Sequence, residues 1–441
     1  MNGYEARTAR LRQDFAALPA DVKVRLAKKT SNLFRARTVA PRLNVDGFDR
    51  VLGVDPNGKT ADVLGMTTYE HLVDATLPHG LMPLVVPQLK TITIGGAVAG
   101  LGIESTSFRN GMPHESVLDI EILTGDGRIV RARPDNEHAN LFFGFPNSYG
   151  TLGYALRLTI ELEPIKPFVQ LRHIRFDDAR ALFEALPTQR ADFIDGTVFS
   201  RNELYLTLGT FTDITARTSD YTGQDIYYQS IQRTREDALT TRAYLWRWDT
   251  DWFWCSRAFG VQNPRIRRFI PRRYLRSDVY WRLLAVDRRF QISRRLDRLR
   301  ERPEAEQVIQ DVEIPAQNAA EFLEFFHNRI GITPIWLCPL RRRDPRATWT
   351  LYTLDPNTMY VNFGFWSSIP SKTGENRNRL IEQEVERVGG RKSLYSTSFY
   401  PEDEFRRIYN GADYDVLKKE YDPENRLPDL YHKAVREGRA P

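Results

Sequence analysis

Four glycines within eight residues are the feature that most constrains how this chain folds. Gly95, Gly96, Gly100 and Gly102 follow the apolar run LMPLVVP, which is typical of a buried strand. Residues without a side chain crowd together where the backbone has to approach another group closely. The spacing differs from the GxGxxG dinucleotide fingerprint, and the Lys-Ser/Thr end of a P-loop is absent. The sequence therefore predicts either an unusual phosphate-binding segment or a tightly packed turn.

Hydroxyl side chains flank these glycines on both sides. Thr91 and Thr93 precede them, and Ser105, Thr106 and Ser107 follow them. Backbone amides of such a segment, together with hydroxyl groups, can surround a pyrophosphate. Nucleotide binding is therefore the first functional expectation.

The length and composition indicate a globular protein with more than one domain. A chain of 441 residues exceeds a single ordinary core, and 41% hydrophobic residues suffice for a sizeable interior. Cys255 and Cys338 provide neither a disulfide framework nor a CxxC metal spacing, which fits a reducing compartment. No run of about 18 apolar residues occurs, and the charged N-terminus lacks an apolar segment. We therefore expect a cytoplasmic protein with no membrane span and no metal site.

The pattern of apolar runs and turn signals predicts an α+β fold. We expect a helical lead-in up to residue 30, with Asp21 as a helix cap. Residues 116–132 read as a hairpin, and alternating apolar positions predict strands further along, including residues 348–354. The predicted units are a nucleotide-binding domain at 1–167, a second α+β domain at 168–390 that covers it, and a C-terminal segment at 391–441.

The positive charge is concentrated in one region. Residues 265–300 contain thirteen arginines and three aspartates, although the whole chain carries a net charge of only +6. Apolar residues recur there at helical spacing, namely Leu275, Val279, Leu283, Val286 and Phe290, with Tyr274, Tyr280 and Trp281 between them. An amphipathic basic helix of this kind suits an anionic membrane surface, or it packs on the protein with its arginines solvated or paired. No nucleic-acid-binding motif accompanies the charge, so we expect no nucleic-acid partner.

Several segments of the chain resemble the delta-24 sterol reductases, which are FAD proteins of the vanillyl-alcohol-oxidase, or PCMH, type. The resembling runs are LPHGLMPLVVPQLKTITIGGAVAGLGIESTSFRNG, LDIEILTGDGRIVRA, NLFFGFPNSYGTLGYALRLTIELEPIK and TPIWLCP. The likeness is close from Leu77 to Arg172 and extends to the aromatic run YLWRWDTDWFWCSRAFGVQNP. It implies a two-part PCMH-type FAD-binding domain at 1–167 and an α+β substrate domain, or cap domain, at 168–390. The cap would include a basic aromatic helical region at 244–300, and the C-terminal segment would return to the flavin.

The resemblance also implies which residues bind FAD. Those on its two flavin-contacting segments are Thr91, Ile94, Gly95, Gly96, Gly100, Glu104, Ser105, Ser107, Gly111, Gly150, Thr151 and Gly153. Ser31 and Asn32 occupy the place of an N-terminal phosphate loop, but the RGxxHS form of that loop is absent. The His that is covalently attached to the flavin in some relatives is therefore missing, and FAD is expected to bind non-covalently.

Reduction of a double bond by this cofactor needs a hydride from the flavin and a proton from a nearby acid. The candidate residues are Trp336, Cys338, Asn362 and Tyr395, together with Glu104 in the flavin signature. Tyr395 is the favoured polar group beside the ring. Glu104 has a second interpretation, in which it caps backbone amides or pairs with an arginine, and Tyr395 has a purely structural one.

Within this resemblance, the chain looks like an actinobacterial group that has no membrane-spanning segment. That group reduces methylene-branched fatty acyl chains of phospholipids to methyl-branched chains such as tuberculostearate. An S-adenosylmethionine-dependent methyltransferase makes the methylene-branched substrate and is therefore an expected functional partner. NADPH is the implied electron donor, although the sequence has no separate nicotinamide fingerprint. The implied location is the inner face of the cell membrane, contacted through residues 265–300.

Three other functions stay open at the level of the sequence. They are reduction of a sterol side chain, FAD-dependent oxidation of an alcohol or sugar by oxygen, and lipid binding without catalysis. Some relatives place a Lys that faces the flavin a few residues after the GGR turn. Ser396, Thr397 and Ser398 occupy that stretch here, which makes alcohol oxidation less favoured.

Overall fold

Two antiparallel sheets and the helices packed against them form the frame of the molecule. The computed structural model describes residues 3–28, 34, 40–290, 305–371 and 374–435. The strands in these ranges are β1 (Arg25–Leu26), β2 (Arg42–Leu43), β3 (Val51–Asp55), β4 (Thr60–Leu64), β5 (Leu81–Pro83), β6 (Val117–Leu123), β7 (Ile129–Ala132), β8 (Tyr154–Pro164), β9 (Phe168–Phe176), β10 (Phe193–Ser200), β11 (Glu203–Thr212), β12 (Glu236–Thr240), β13 (Ala305–Pro315), β14 (Ile335–Leu340), β15 (Tyr360–Pro370) and β16 (Arg391–Lys392). The α-helices are Gly3–Ala16, Tyr69–Thr76, Ile94–Ala99, Ser107–Asn110, Ala139–Gly144, Ala179–Ala185, Tyr227–Ser230, Thr241–Leu245, Pro264–Arg267, Ser277–Phe290, Ala319–Arg329, Arg377–Arg387, Glu402–Ile408, Gly411–Tyr421 and Leu430–Ala434. The predicted α+β fold class is confirmed.

The first sheet has the order β3-β4-β8-β6-β7, with β5 paired to the end of β8. Along its central strand β8, buried Leu158, Ile160 and Leu162 alternate with half-buried polar residues. This alternation means that one face packs on the core, where the helix Ile94–Ala99 contacts β8. β6 and β7 form the predicted hairpin, which pairs Ile120 with Ala132.

The second sheet has the order β12-β9-β11-β10-β14-β15-β13-β16, and its two faces differ in chemistry. Buried Val312, Leu337 and Phe363 belong to a core shared with the helices Ala179–Ala185, Ala319–Arg329 and Arg377–Arg387. Successive side chains of a strand point to opposite faces, so the residues between them face the first sheet. The chain passes from one sheet to the other between β8 and β9, and the domain divisions at residues 167 and 390 stay predictions.

The segment after the first helix does not continue as a helix. Asp21 lies in a turn, and Arg25–Leu26 forms β1, which pairs in parallel with β2. The Val24 N–H donates to the carbonyl oxygen of Arg426 at 2.8 Å, and Val24 is fully buried. Pairing with distant residues replaces local helical hydrogen bonds here. The predicted helix capped by Asp21 was therefore wrong.

Residues 348–354 form a short turn within an irregular segment and not the predicted strand. Leu351 and Tyr352 are adjacent and both buried, which breaks the alternation that a strand on one core requires. The Thr350 N–H donates to the carbonyl oxygen of Phe143 at 3.0 Å, so tertiary contacts satisfy the backbone. The prediction failed because β-forming residue types also pack well in a buried loop.

The basic region contains the helices Pro264–Arg267 and Ser277–Phe290, and its residues 291–300 lie outside the described ranges. Leu275 is buried, whereas Leu283 and Val286 are each 48% exposed. The apolar residues of this region therefore divide between the protein interior and its surface. In the part of the chain that the structure describes, no helix is both long and apolar enough to span a bilayer.

Candidate active site

A cavity of about 380 Å³ lies between the two sheets. Its wall combines the surroundings of the helix Ile94–Ala99, the turn before β8, the inner face of β13–β15, and the residues Trp252 and Phe253. The wall is mostly apolar, with a small number of polar groups. Small-molecule sites typically have this composition and lie where two structural units meet. The cavity is therefore the candidate active site.

Two adjacent glycines of the glycine segment have different surroundings. The Thr93 hydroxyl caps the helix Ile94–Ala99 by accepting the Gly96 N–H at 3.3 Å. Gly95 packs on the first sheet, where a β-carbon would lie 2.6 Å from the carbonyl oxygen of Gly65. Gly96 lines the cavity, and a β-carbon there would lie within 3.0 Å of Thr93 Oγ1 and Lys28 Nζ. The spacing left tight packing and ligand binding as alternatives. The structure contains both features, because Gly95 packs on the sheet and Gly96 lines the cavity.

The wall of the cavity fits the groups of FAD. Arg25, Lys28, Arg42 and Lys433 line it, and cationic side chains suit a pyrophosphate. The Asn362 Oδ1 atom is buried in the wall and has no hydrogen-bond partner among the described residues. Buried hydrogen-bond acceptors normally have a partner, so a bound group is expected to donate a hydrogen bond to this atom. These basic side chains and Gly96 would hold the phosphates, and Asn362 would meet a polar group of the ring or the substrate.

Trp252 and Phe253 form an aromatic part of the wall. Both have left-handed backbone conformations, with φ of 45° and 60°, which are rare for bulky residues. The Phe253 ring packs on the rings of Trp336 and Trp366, with centroid distances of 5.5 Å and 4.5 Å. Neither Trp252 nor Phe253 was among the predicted site residues. The direction of their side chains depends on backbone angles that have no signature in the sequence.

Tyr395 belongs to a hydrogen-bonded group in the wall. Its hydroxyl oxygen accepts the Trp366 Nε1–H at 2.7 Å, and the Asp311 carboxyl group lies beside this hydroxyl. Asp311 Oδ1 also accepts the Asn362 Nδ2–H at 3.1 Å. Burial raises the pKa of Asp311 to about 6, while the hydrogen bonds from Asn362 and Tyr395 act in the opposite direction. Burial, assisted by the charge of Asp311, raises the pKa of Tyr395 well above its ordinary value.

Asp311 and Trp366 are cavity residues that the sequence prediction missed. Asp311 pairs with Gly364 across β13 and β15, and a β-carbon at Gly364 would lie 2.5 Å from Asp311 Oδ1 and 2.7 Å from Trp366 Cη2. The missing side chain therefore makes room for both groups. A signal was present, because Asp311 and Glu313 alternate with buried Val312 and place two carboxyl groups on one face of β13.

Glu104 lines the cavity, but both of its carboxylate oxygens are occupied. Oε1 accepts the backbone N–H of Gln88 at 3.0 Å, and Oε2 accepts the Gln88 side-chain N–H at 2.6 Å. Burial raises the pKa of Glu104 to about 8, against the effect of these hydrogen bonds. The contacts agree with the interpretation of Glu104 as a cap of a backbone amide. Its role as a proton donor stays a prediction.

The two candidate residues on β14 have different surroundings. Trp336 lines the cavity and its Nε1–H donates to Asp195 Oδ2 at 3.3 Å. Cys338 is fully buried and lies outside the lining. Burial raises the pKa of the Cys338 thiol well above its ordinary value, so the thiol stays protonated and poorly reactive. The structure does not bring Cys338 to the cavity.

The predicted FAD-contacting residues divide into two groups. Those that line the cavity are Thr91, Gly96, Gly100, Glu104, Gly150 and Gly153. Those that do not line it are Ile94, Gly95, Ser105, Ser107, Gly111 and Thr151. The polar groups among the second set are used within the protein. The Ser107 hydroxyl accepts the Glu104 N–H at 2.9 Å, the Ser105 hydroxyl contacts the Tyr244 hydroxyl at 3.2 Å, and the Thr151 hydroxyl donates to the Ser148 carbonyl at 2.8 Å. Ser31 and Asn32 lie outside the described residues.

Comparison with known proteins agrees with this geometry. Residues 16–133 match the model of a family described as FAD binding domain. The delta(24)-sterol reductase of Rattus norvegicus is 28% identical over 418 residues, which cover 90% of this chain and 76% of the relative. That of Homo sapiens is 28% identical over 422 residues with the same coverage, and that of Arabidopsis thaliana is 24% identical over 439 residues, covering 88% and 75%. The chain is therefore an FAD-dependent oxidoreductase with an α+β, PCMH-type fold, similar over most of its length to delta(24)-sterol reductases.

Proposed function

We propose that the protein reduces a carbon–carbon double bond in a lipid. The observation that carries the proposal is the composition of the cavity, where the glycine segment meets the rings of Trp252, Phe253, Trp336 and Trp366. An apolar wall of this kind suits a hydrocarbon chain and excludes water from the reacting carbons. Bound FAD would supply hydride to one carbon. The names of the relatives point to the same class of reaction.

We propose a methylene-branched fatty acyl chain of a phospholipid as the substrate and the methyl-branched chain as the product. An S-adenosylmethionine-dependent methyltransferase would supply this substrate, and NADPH would be the electron donor. The resemblance to the actinobacterial group supports this choice over other lipids. A sterol side chain is the second candidate, and the names of the relatives favour it.

Contact with an anionic membrane through residues 265–300 is part of the same proposal, and it would keep the enzyme at the inner face of the cell membrane. Five large apolar side chains are exposed in the described part of this region, namely Ile266, Phe269, Tyr274, Leu283 and Val286. Arg265, Arg268 and Arg273 are exposed beside them. Other arginines are paired, as in the buried contact of Arg267 with Asp251 at 2.7 Å. Exposed apolar side chains among arginines are typical of a surface that binds anionic lipid.

The position of this surface relative to the cavity supports the proposal. The Trp281 ring on the helix Ser277–Phe290 contacts the rings of Phe34 and Trp252, with centroid distances of 5.3 Å and 6.1 Å. Phe34 and Trp252 both line the cavity. A lipid bilayer on the outer side of this helix would therefore lie next to the wall of the cavity.

The purified protein tests the reaction through the absorbance of its flavin. We expect a flavin spectrum and bleaching by NADPH under anaerobic conditions. Reoxidation should follow when a phospholipid with a methylene-branched chain is added. Faster reoxidation by a sterol with a side-chain double bond would favour the second candidate. Failure of NADPH to bleach the flavin, or peroxide release in air with an alcohol substrate, would contradict the reductase. A protein without flavin would indicate lipid binding only.

A further inference from the structure

We propose that Asp311 and Tyr395 form a proton relay that ends at the cavity and supplies the proton for the second carbon of the double bond. The inference rests on the proposed reduction and adds the source of its proton. Asp311 was absent from the predicted site residues. It is one of two carboxyl side chains in the lining formed by the described residues, and the other is Glu104.

The geometry distinguishes these two carboxyl groups. Both oxygens of Glu104 accept N–H groups of Gln88, an amide that cannot pass a proton on. Asp311 accepts one N–H from Asn362, and its carboxyl group lies beside the Tyr395 hydroxyl. Asp311, Asn362, Trp366 and Tyr395 all line the cavity. Asp311 is therefore the carboxyl group that can exchange a proton with a second cavity residue.

The protonation state of Asp311 decides where the Tyr395 hydrogen points. A phenol oxygen can accept hydrogen bonds and has one hydrogen to donate. When Asp311 is neutral, Trp366 and Asp311 both donate to this oxygen, which leaves the Tyr395 hydrogen for a molecule in the cavity. When Asp311 is ionised, Tyr395 donates to it and the hydrogen points away from the substrate. Asp311 is thus a positioning residue: it orients the Tyr395 hydrogen and returns a proton to the Tyr395 oxygen after the transfer.

The transition between these states falls in an accessible pH range. Burial raises the pKa of Asp311 to about 6, so the neutral, delivering form is complete below this pH and is lost as the pH rises through it. The titratable groups that face Asp311 are Tyr395, Glu313 on the same strand and Cys338 on β14. Burial raises the pKa of each, and the charge of Asp311 adds to this effect. The neutral forms of these neighbours leave Asp311 as the group that titrates near pH 6.

The proton and electron count of the step is balanced. Two electrons and one hydrogen would reach the first carbon as hydride from bound, reduced FAD. The O–H bond of Tyr395 breaks and a C–H bond forms at the second carbon, while the Asp311 proton moves to the Tyr395 oxygen. After the product leaves, the Asp311 carboxylate takes a proton from water.

Asp311→Asn and Tyr395→Phe test the relay. Asn keeps the size of the side chain and its contact with Asn362 but cannot release a proton. We expect each variant to retain FAD and to lose about 10²-fold in kcat, the usual contribution of general acid catalysis. The fall in kcat through pH 6 should vanish in Asp311→Asn. The double variant should be no slower than the single ones, because the residues act in one relay. Trp366→Phe, which removes the N–H donor together with part of the ring, should lower kcat but keep the pH dependence.

A second readout needs no substrate. Infrared spectra of the purified protein should contain a carboxylic acid band that titrates near pH 6 and is absent in Asp311→Asn. Asp249→Asn is the matched control, since Asp249 is a buried carboxyl group outside the cavity lining. It should leave both this band and the pH profile of kcat unchanged.

An Asp311→Asn variant with the wild-type rate and pH profile, or with this band intact, would overturn the relay. If the band behaves as expected but no lipid is reduced, the proposed function fails and the hydrogen-bonded pair stands.

Discussion

Gly96 and Gly364 each leave space that a β-carbon would fill. Gly96 faces the cavity beside Lys28, and Gly364 lies opposite Asp311 in the second sheet. A side chain at either position would have to displace these neighbouring side chains. At the scale of single residues, the cavity therefore depends on these two glycines as well as on its polar side chains.

Replacement of Gly96 by a bulky residue tests the location of the cofactor. We expect Gly96→Leu to fold but to lose FAD, because its side chain would project into the cavity. The ratio of flavin to protein absorbance after purification measures this loss. Gly53→Ala is the control, since no atom lies within 4 Å of the position of its β-carbon. A Gly96→Leu protein with full FAD content would mean that the cofactor binds elsewhere.

The adjacent glycine is expected to affect stability instead. A β-carbon at Gly95 would lie 2.6 Å from the carbonyl oxygen of Gly65 and 3.1 Å from Ala155 Cβ. Overpacking of this kind costs about 1–3 kcal/mol, so Gly95→Ala should lower the free energy of unfolding by this amount. Urea denaturation measures the change. A variant as stable as the wild type would show that the helix and β8 can separate freely.

At the scale of elements, a buried ion pair joins the aromatic run at residues 244–264 to the second sheet. Arg247 Nη2 lies 2.6 Å from Asp195 Oδ2 on β10, and both side chains are almost fully buried. The Arg247 guanidinium also stacks over the Tyr244 ring at 3.9 Å, and Asp195 accepts the Trp336 Nε1–H. Asp195 therefore positions one cavity residue and anchors the segment that carries two others.

Removal of Asp195 should be strongly destabilising. Asp195→Ala leaves the Arg247 charge buried without its partner, and breaking such a pair typically costs about 3–5 kcal/mol. Denaturant unfolding measures this loss. Asp213→Ala is the matched control, because it removes the exposed pair of Lys166 with Asp213, whose charged atoms lie 2.8 Å apart. We expect little change there. Equal stabilities for the two variants would refute the anchoring role of Asp195.

At the scale of the whole molecule, the cavity and the basic region share one wall. The helix Ser277–Phe290 contacts cavity residues through Trp281 on its inner side and exposes Leu283 and Val286 on its outer side. A substrate that reaches the cavity from a membrane would have a short path. We therefore expect activity to depend on inner residues of this helix such as Trp281. Membrane binding should depend on outer residues such as Leu283 and Val286.

Binding to lipid vesicles tests this arrangement. We expect sedimentation with anionic vesicles, weaker sedimentation at high salt, and little with zwitterionic vesicles. Phe269 is 74% exposed, and Phe269→Ser combined with Leu283→Ser should reduce binding. Arg268→Gln with Arg273→Gln should weaken binding by about tenfold or more, since each basic residue at an anionic surface contributes about 1 kcal/mol. Ile214→Ser is the control, because Ile214 is 83% exposed but lies outside the basic region. Equal binding of all variants would exclude this surface as the membrane contact.

Local patterns predicted many elements of the fold. The β6–β7 hairpin and the strand β8 agree with the alternation of apolar residues, because alternation directly reflects burial on one face. The failures at residues 21–28 and 348–354 have a common cause. In both places the backbone is paired with distant residues, and local propensity carries no information about such partners.

The pattern of glycines indicated a close approach of the backbone, and the resemblance to FAD enzymes indicated the cofactor. Tyr395, Trp336 and Asn362 were also recognisable as candidates from the sequence. Three-dimensional packing was needed to show that Gly96 faces the cavity while Gly95 packs on the sheet, and that Asp311 and Trp366 lie beside Tyr395. The physical reason is that these contacts depend on the register of β13 with β15 and on the approach of the two sheets, which no local pattern encodes.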